Sequence, residues 1–153
     1  MKASEIIAEV RKIKEKETPK SIMKFDLDQT ERILLRLDSF TDCTECRKYM
    51  EEFSSLFEKA KAASLFTYEK EYALLIKSVL KHLQKSHKLV TKGYYANTYM
   101  ALGIGLGLPF GVVFAQSLGQ MAYIGIGLPI GIGIGLAIGS NLDTKAKNDS
   151  LVI

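Results

Sequence analysis

Two cysteines and two histidines have the clearest potential for chemistry in this chain, and the sequence contains no others of either type. Cys43 and Cys46 form a C-x2-C pair, and four residues separate His82 from His87. Zinc favours such spacings because a turn or a helix start can present both members of a pair to one tetrahedral ion. The pattern therefore predicts a structural zinc site. Four protein ligands would leave no open coordination position, so the site predicts no catalysis.

Two other interpretations of the same residues stay open. In one, the cysteines are small apolar residues at a helix start and the histidines are solvated among lysines. In the other, the C-x2-C pair is a redox-active dithiol. The zinc interpretation requires the helix to end between His82 and His87, since five steps along a continuous helix place two side chains about 140° apart. Residues 1–17 lack the apolar core of a signal peptide, so we expect a reducing cytosol and no disulfide.

Residues 1–92 are predicted to form a cytoplasmic domain of three or four helices. Apolar residues recur there at helical spacing, and no long alternation of period two predicts a strand. The basic polar face of the first pattern also fits a membrane-surface helix, but docking on neighbouring helices is favoured. The core would be modest, so a metal, an oligomer or the membrane is expected to stabilise it. The predicted helix caps are Ser4, then Asp28 or Thr30, then Asp42.

Residues 93–142 contain no charged residue and no histidine, and they hold all the glycines of the chain. One membrane span needs about twenty residues, so this stretch predicts a helical hairpin of two spans, at about residues 100–118 and 121–139. Residues 143–153 would form a polar tail. Lysines flank both spans and none lies in the turn, which predicts both termini in the cytoplasm and a place in the cytoplasmic (inner) membrane. The whole fold is thus expected to be all-α.

A β-hairpin is the rival interpretation of the apolar stretch, because isoleucine and glycine alternate in its second half. Two strands cannot span lipid alone, since their edges would need an oligomeric barrel to close them. Prolines in the middle of each segment also argue against strands. The helical hairpin is therefore the favoured interpretation.

Small residues recur at every fourth position of the two predicted spans. Residues four apart lie nearly on one helix face, and a face without side chains lets another backbone approach closely. We expect the spans to pair, and copies of the chain to self-associate, through this face. Pro109 and Pro129 hold equivalent places and predict matched bends. The predicted packing residues are Gly103, Gly107, Gly111, Ala115, Gly119, Gly127, Gly131, Gly135 and Gly139.

Four lysines precede the first span, and three tyrosines follow them directly. We expect these lysines to bind anionic lipid headgroups rather than nucleic acid. The sequence contains no nucleotide-binding fingerprint, phosphate loop or Ser/His/Asp set, so we expect no enzymatic activity. The lysines are Lys81, Lys85, Lys88 and Lys92.

The second half of the chain resembles the bacterial glycine-zipper small membrane proteins. The resemblance rests on the repeated Gly-x-Gly-Leu-Pro-x-Gly at residues 105–111 and 125–131, and on the ending at residues 135–147. The C-x2-C pair, and the H-x4-H pair followed by Lys88-Leu89-Val90, resemble an uncharacterised set of such proteins with an N-terminal helical domain. The resemblance implies a two-span membrane protein without known enzymatic activity. Some glycine-zipper proteins form pores and others are passive anchors.

The main functional hypothesis is a non-enzymatic membrane protein that self-associates as a homo-oligomer through its glycine face. Its helical domain would then be presented to a cytoplasmic protein partner. An oligomeric pore built from the hairpins is one alternative, although the spans lack the charged residues that ion paths usually contain. A membrane-tethered zinc or thiol sensor is the other alternative.

Overall fold

The computed structural model describes residues 3–16, 25–62, 64–121 and 124–153. Over these ranges the chain forms six α-helices and a short 3-10 helix, and it contains no β-strand. The all-α prediction is therefore confirmed for the described part of the chain. The protein divides into two compact units, Met1–Leu89 with Ile153 and Val90–Val152.

The first unit contains four α-helices, each of which buries one apolar stripe as its periodicity predicts. These helices are α1 (Ala3–Lys16), α2 (Leu27–Ser39), α3 (Thr44–Ala62) and α4 (Glu69–His87), and the 3-10 helix Leu65–Tyr68 leads into α4. Helix α1 packs on α2 and α3, so its apolar stripe faces its neighbours. The largest fully buried side chains include Ile6, Val10, Ile33, Leu34, Leu37, Phe53, Leu56, Phe57, Val79 and Leu83.

Helix α2 is capped by a residue that the sequence analysis did not select. The side chain of Asp26 accepts a hydrogen bond from the Gln29 N–H (3.1 Å), which satisfies one of the unpaired donors of the first turn. The predicted cap Asp28 is wrong, because this residue lies inside the helix and its carboxylate pairs with Lys14.

Two other predicted caps are also wrong. Ser4 lies inside α1, which begins at Ala3. Thr30 is fully buried, and its hydroxyl hydrogen-bonds to the hydroxyl of Tyr72, which donates to the Phe25 carbonyl (2.6 Å). Thr30 therefore satisfies a polar group inside the core instead of starting a helix.

The second unit is a pair of long helices, α5 (Tyr94–Leu118) and α6 (Ile124–Asn148), which pack against each other. Both are long and apolar enough to cross a membrane. Only 17% of the most apolar window in each helix is buried, whereas a core helix of a soluble protein is mostly buried. These properties suggest membrane association. Both helices run past the predicted spans, since α5 begins before residue 100 and α6 continues beyond residue 139.

The two ends of this hairpin are closed by different means. Gly119 ends α5 in a left-handed conformation (φ 68°), which glycine adopts without a steric penalty. At the opposite end, the Asp143 carboxylate of α6 accepts hydrogen bonds from the N–H groups of Tyr95 (3.0 Å) and Ala96 (2.9 Å). First-turn N–H groups have no acceptor within their own helix, so α6 supplies the cap of α5.

Candidate metal centre

The structure brings the two cysteines and two histidines of the first unit together. One ligand atom from each of the four residues lies within 4.8 Å of all the others. The Cys43 Sγ is 3.3 Å from the His82 Nε2, and the Cys46 Sγ is 3.5 Å and 3.4 Å from the Nε2 atoms of His82 and His87. The four residues predicted from their spacing therefore form a single cluster that can hold a metal ion.

The separations within this cluster fit tetrahedral zinc. With Zn–S bonds of about 2.3 Å and Zn–N bonds of about 2.0–2.1 Å, a sulfur and a nitrogen on one zinc ion lie about 3.5 Å apart. The three sulfur–nitrogen distances of 3.3–3.5 Å agree with this edge of the tetrahedron. Two thiolates and two imidazoles are also one of the common ligand sets of structural zinc sites. The residues present therefore fit the ion.

The start of α3 positions both cysteines. Cys43 directly precedes the helix, and its carbonyl accepts the Arg47 N–H (3.2 Å), while its Sγ accepts the Cys46 N–H (3.4 Å). The Cys43 thiol, not the predicted Asp42 carboxylate, therefore occupies the capping position. This thiol lies at the N-terminus of α3, beside the unpaired N–H groups of the first turn.

The end of α4 positions both histidines, in a way that corrects the sequence analysis. The helix was expected to end between His82 and His87, but it continues through His87. Both rings still reach the Cys46 sulfur, because each long side chain turns towards the start of α3 from a different side of α4. The helix ends immediately afterwards, where Lys88 has a positive φ (57°) and the Leu89 N–H bonds to the Leu83 carbonyl (3.1 Å).

Neighbouring side chains hold the two imidazole rings. The Phe40 ring stacks on His87, with ring centroids 3.7 Å apart and planes inclined by 22°. The Tyr49 ring lies beside His82 at 5.6 Å, and the Ser86 hydroxyl is 3.5 Å from the His82 Nδ1. A polar contact on the second ring nitrogen orients an imidazole ligand. The sequence analysis missed these supporting residues, because no ligand spacing selects them.

Burial sets the protonation of the cluster. Cys46 is fully buried, and this burial, followed by the neighbouring Cys43, raises the pKa of the Cys46 thiol to about 12. Burial, followed by the charge of His82, lowers the pKa of His87. A neutral imidazole is the form that binds a metal, whereas the thiol must release its proton to do so. A cation in this site would therefore replace the Cys46 proton.

One side of the cluster opens to solvent. Cys43 and His87 are half-buried, and both line a cavity of about 350 Å³. The remaining lining residues come from the end of α2 and the link between α2 and α3. This opening leaves the cluster accessible to an ion from solvent. The other lining residues are Ser39, Phe40, Thr41 and Asp42.

Seven of the nine predicted packing residues lie between α5 and α6. A Cβ atom built on Gly107 would lie 2.5 Å from the Gly127 carbonyl oxygen, and one on Gly111 would lie 2.6 Å from the Ile124 oxygen. Such distances are far below van der Waals contact, so the two backbones touch directly. The glycines with this close approach are Gly103, Gly107, Gly111, Gly127, Gly131, Gly135 and Gly139.

The remaining predicted residues have other surroundings. Ala115 is buried, but Gly119 ends α5 and has no atom within 4 Å of its built Cβ, so it is not a packing glycine. Pro109 and Pro129 lie inside α5 and α6, and their predicted bends remain predictions. The four predicted headgroup lysines are exposed.

Asp143 is the functional position that the sequence analysis missed in this unit. It was assigned to the polar tail, yet it lies inside α6 and caps α5. The sequence did contain a signal for this role, since Asp143 is the first acidic residue after Glu71.

Comparisons with known proteins identified no relative of this chain. No protein-family model, no curated protein and no solved structure matches this chain. The resemblance to glycine-zipper membrane proteins therefore remains a prediction, while the two apolar helices and the Cys/His cluster stand on the structure alone.

Proposed function

We propose that this protein is a non-enzymatic membrane protein whose cytoplasmic helical domain is fixed by one structural zinc ion. The domain would be held at the membrane by the α5–α6 hairpin and would present its surface to a protein partner. The Cys/His cluster carries this proposal, because four ligand atoms from two helices converge at separations that suit tetrahedral zinc. When bound, zinc would supply no reaction chemistry and would tie the start of α3 to the end of α4.

The alternatives for the cluster account for less of its geometry. Solvated histidines would have no reason to turn their Nε2 atoms onto a buried sulfur. A redox dithiol needs only the two cysteines, and it leaves both histidines at 3.3–3.5 Å from sulfur unexplained. Zinc accounts for all four residues at once.

Metal analysis of the full-length protein tests the zinc proposal. Protein purified in detergent without added zinc should contain close to one zinc ion per chain. Cys43→Ser and His82→Gln should each lose most of it, while Ser55→Ala, an exposed change on α3, should keep it. Replacement of zinc by Co²⁺ should give the strong absorption bands of a tetrahedral thiolate site. Wild-type protein without bound zinc, and without a tetrahedral cobalt spectrum, would contradict the proposal.

The hairpin is proposed to be a two-span anchor with both ends in the cytoplasm. Large apolar side chains cover its outside, as lipid contact requires, and glycines form its inside. Lys81, Lys85, Lys88 and Lys92 precede it and support the inward orientation. Extraction at high pH should leave the protein in the membrane, and a protease added outside intact cells should leave the helical domain uncut.

Self-association through the glycine face is proposed in a restricted form. Within one chain, α5 and α6 already cover this face on each other. A homo-oligomer would therefore form through other faces or by exchange of one helix between two hairpins. The mass of the protein in lipid nanodiscs of increasing size tests this proposal. A mass that stays at that of the monomer would contradict a homo-oligomer.

A further inference from the structure

Beyond its first turn, the outer side of α4 carries only positive charge. Lys77, Lys81 and Lys85 recur at every fourth residue on the side opposite the buried stripe, and Lys88 follows directly after the helix. All four side chains are exposed, and together they are called the basic face here. The sequence contains no Asp or Glu from residue 72 to residue 142. The basic face therefore has no acid on its own helix beyond the first turn.

The other helices of the first unit mix both signs and pair them. Arg11 of α1 pairs with Glu31 of α2 (3.4 Å), and Lys61 of α3 pairs with Glu9 of α1 (2.6 Å). Among the residues that the structure describes, no lysine of the basic face forms an ion pair. An ordinary solvated surface carries interspersed charges, as α1, α2 and α3 do. The basic face departs from that pattern.

Two acidic residues share a groove with an apolar residue of α4. Glu52 of α3 and Glu71 of α4 line a groove of about 330 Å³ that also contains Leu74. Leu74 is 66% exposed and lies one turn before Lys77 on the same side of α4. A large apolar side chain beside a row of lysines is typical of helices that lie in a membrane interface.

We propose that the basic face binds a bilayer surface rich in anionic phospholipid, with Leu74 reaching into the headgroup layer. This inference rests on the proposed membrane anchor. Only residues 88–93 separate α4 from α5, and six residues span at most about 20 Å. With α5 in the membrane, this short link would limit the distance between α4 and the headgroups, so binding would be an intramolecular step with a high effective concentration.

The side chains of the basic face favour lipid over nucleic acid. All four charges are lysines, which act as hydrated point charges and suit diffuse headgroups, whereas arginine suits bidentate phosphate recognition. The face also lacks an exposed aromatic ring on which a base could stack. Each lysine near an anionic surface strengthens binding roughly fivefold.

Lysine acetylation footprinting on the full-length protein tests the inference. The protein is placed in nanodiscs of phosphatidylcholine alone, or of an equal mixture with phosphatidylglycerol, and brief acetylation is quantified by mass spectrometry. Acetylation of the four lysines should fall about fivefold or more in the anionic discs, while Lys12 and Lys48 on other helices should not change. High salt should reverse the protection, because it screens exposed charges.

A charge-reversal variant separates lipid binding from general burial. Changing Lys77, Lys81 and Lys85 to Glu should remove the protection of Lys88, whereas Lys12→Glu with Lys48→Glu should preserve it. Zinc content shows that each variant is folded. Equal acetylation of the four lysines in both kinds of disc overturns the inference. If they are protected equally in neutral and in anionic discs, a protein surface and not anionic lipid covers them. Failure of the protein to stay in discs would instead contradict the proposed anchor.

Discussion

The two units of this protein place opposite kinds of residue in their interiors. The first unit buries its largest apolar side chains, including Phe53, Phe57 and Leu83, and exposes its charges. The second unit buries glycines and exposes residues such as Leu106 and Phe110. Water drives large apolar groups inward in the first case. If the second unit lies in a membrane as proposed, lipid tails give no such force between helices, and close backbone contact would hold the unit together.

Metal removal should produce the largest difference in stability between the two units. A ligand at about 1,000 times its dissociation constant stabilises the state that binds it by about 4 kcal/mol, so chelation should destabilise the first unit by that order. Hydrogen exchange of the full chain in detergent should become faster in α3 and α4 and stay unchanged in α5 and α6. Equal acceleration of both units would show that their stabilities are not independent.

A large-to-small change should also affect only the first unit. Phe53→Ala removes a fully buried ring, and such changes cost about 3–5 kcal/mol because a cavity remains. The matched change Leu106→Ala lies on α5, where the side chain is 62% exposed, so it should leave helix pairing nearly unchanged. Thermal unfolding for the first variant and hydrogen exchange of α5 for the second measure these effects. A comparable loss in both would contradict the difference between the interiors.

A small-to-large change should affect the second unit instead. Gly131→Leu places a side chain against the Gly103 backbone and the Gly107 Cα, neither of which can rotate away. Overpacking of this kind typically costs about 1–3 kcal/mol. Gly133→Leu is the matched control two residues away on α6, because no atom lies within 4 Å of its built Cβ. Equal helix pairing in the two variants, measured by hydrogen exchange of α5, would refute the glycine contacts.

Removal of the Asp143 carboxylate should have the smallest effect. Asp143→Asn should destabilise the hairpin by about 1 kcal/mol and Asp143→Ala by about 2 kcal/mol, since charged caps of partly buried N–H groups contribute in this range. The amides of Tyr95 and Ala96 should exchange faster in both variants. Asp149→Asn near the end of the chain is the control. Unchanged exchange at these two amides would show that the carboxylate does not cap α5.

The sequence was sufficient to predict the helices and the residues of the Cys/His cluster. Periodicity identifies the buried stripes because the side-chain period of a helix is fixed. The spacings of Cys43 with Cys46 and of His82 with His87 identified the cluster because these are the only residues of their types. Cys43 was nevertheless missed as the cap of α3, since an aspartate one residue earlier is normally the stronger candidate.

The pairing of α5 with α6 could not be predicted residue by residue. A four-residue repeat defines a helix face but leaves the register along that face open. The structure fixes it, with Gly107 against Gly127 and Gly103 against Gly131. The Asp143 cap depends on this register, because a shift of one turn would move its carboxylate away from the Tyr95 amide. The continuous helix through His87 could not be predicted from the angle between the two positions, because the reach of a long side chain can offset that angle.

The register of the hairpin has a consequence for the order in which the chain folds. Contacts between α5 and α6 are nested: Gly111 meets Ile124 near the turn, and each later pair lies further apart in the sequence. The Asp143 cap joins residues separated by up to 48 positions, the longest of these links. Since loop closure costs more for longer loops, helix pairing should start at the turn and advance in one direction. The first amides of α5 therefore have no carboxylate acceptor until Asp143 of α6 has been synthesised.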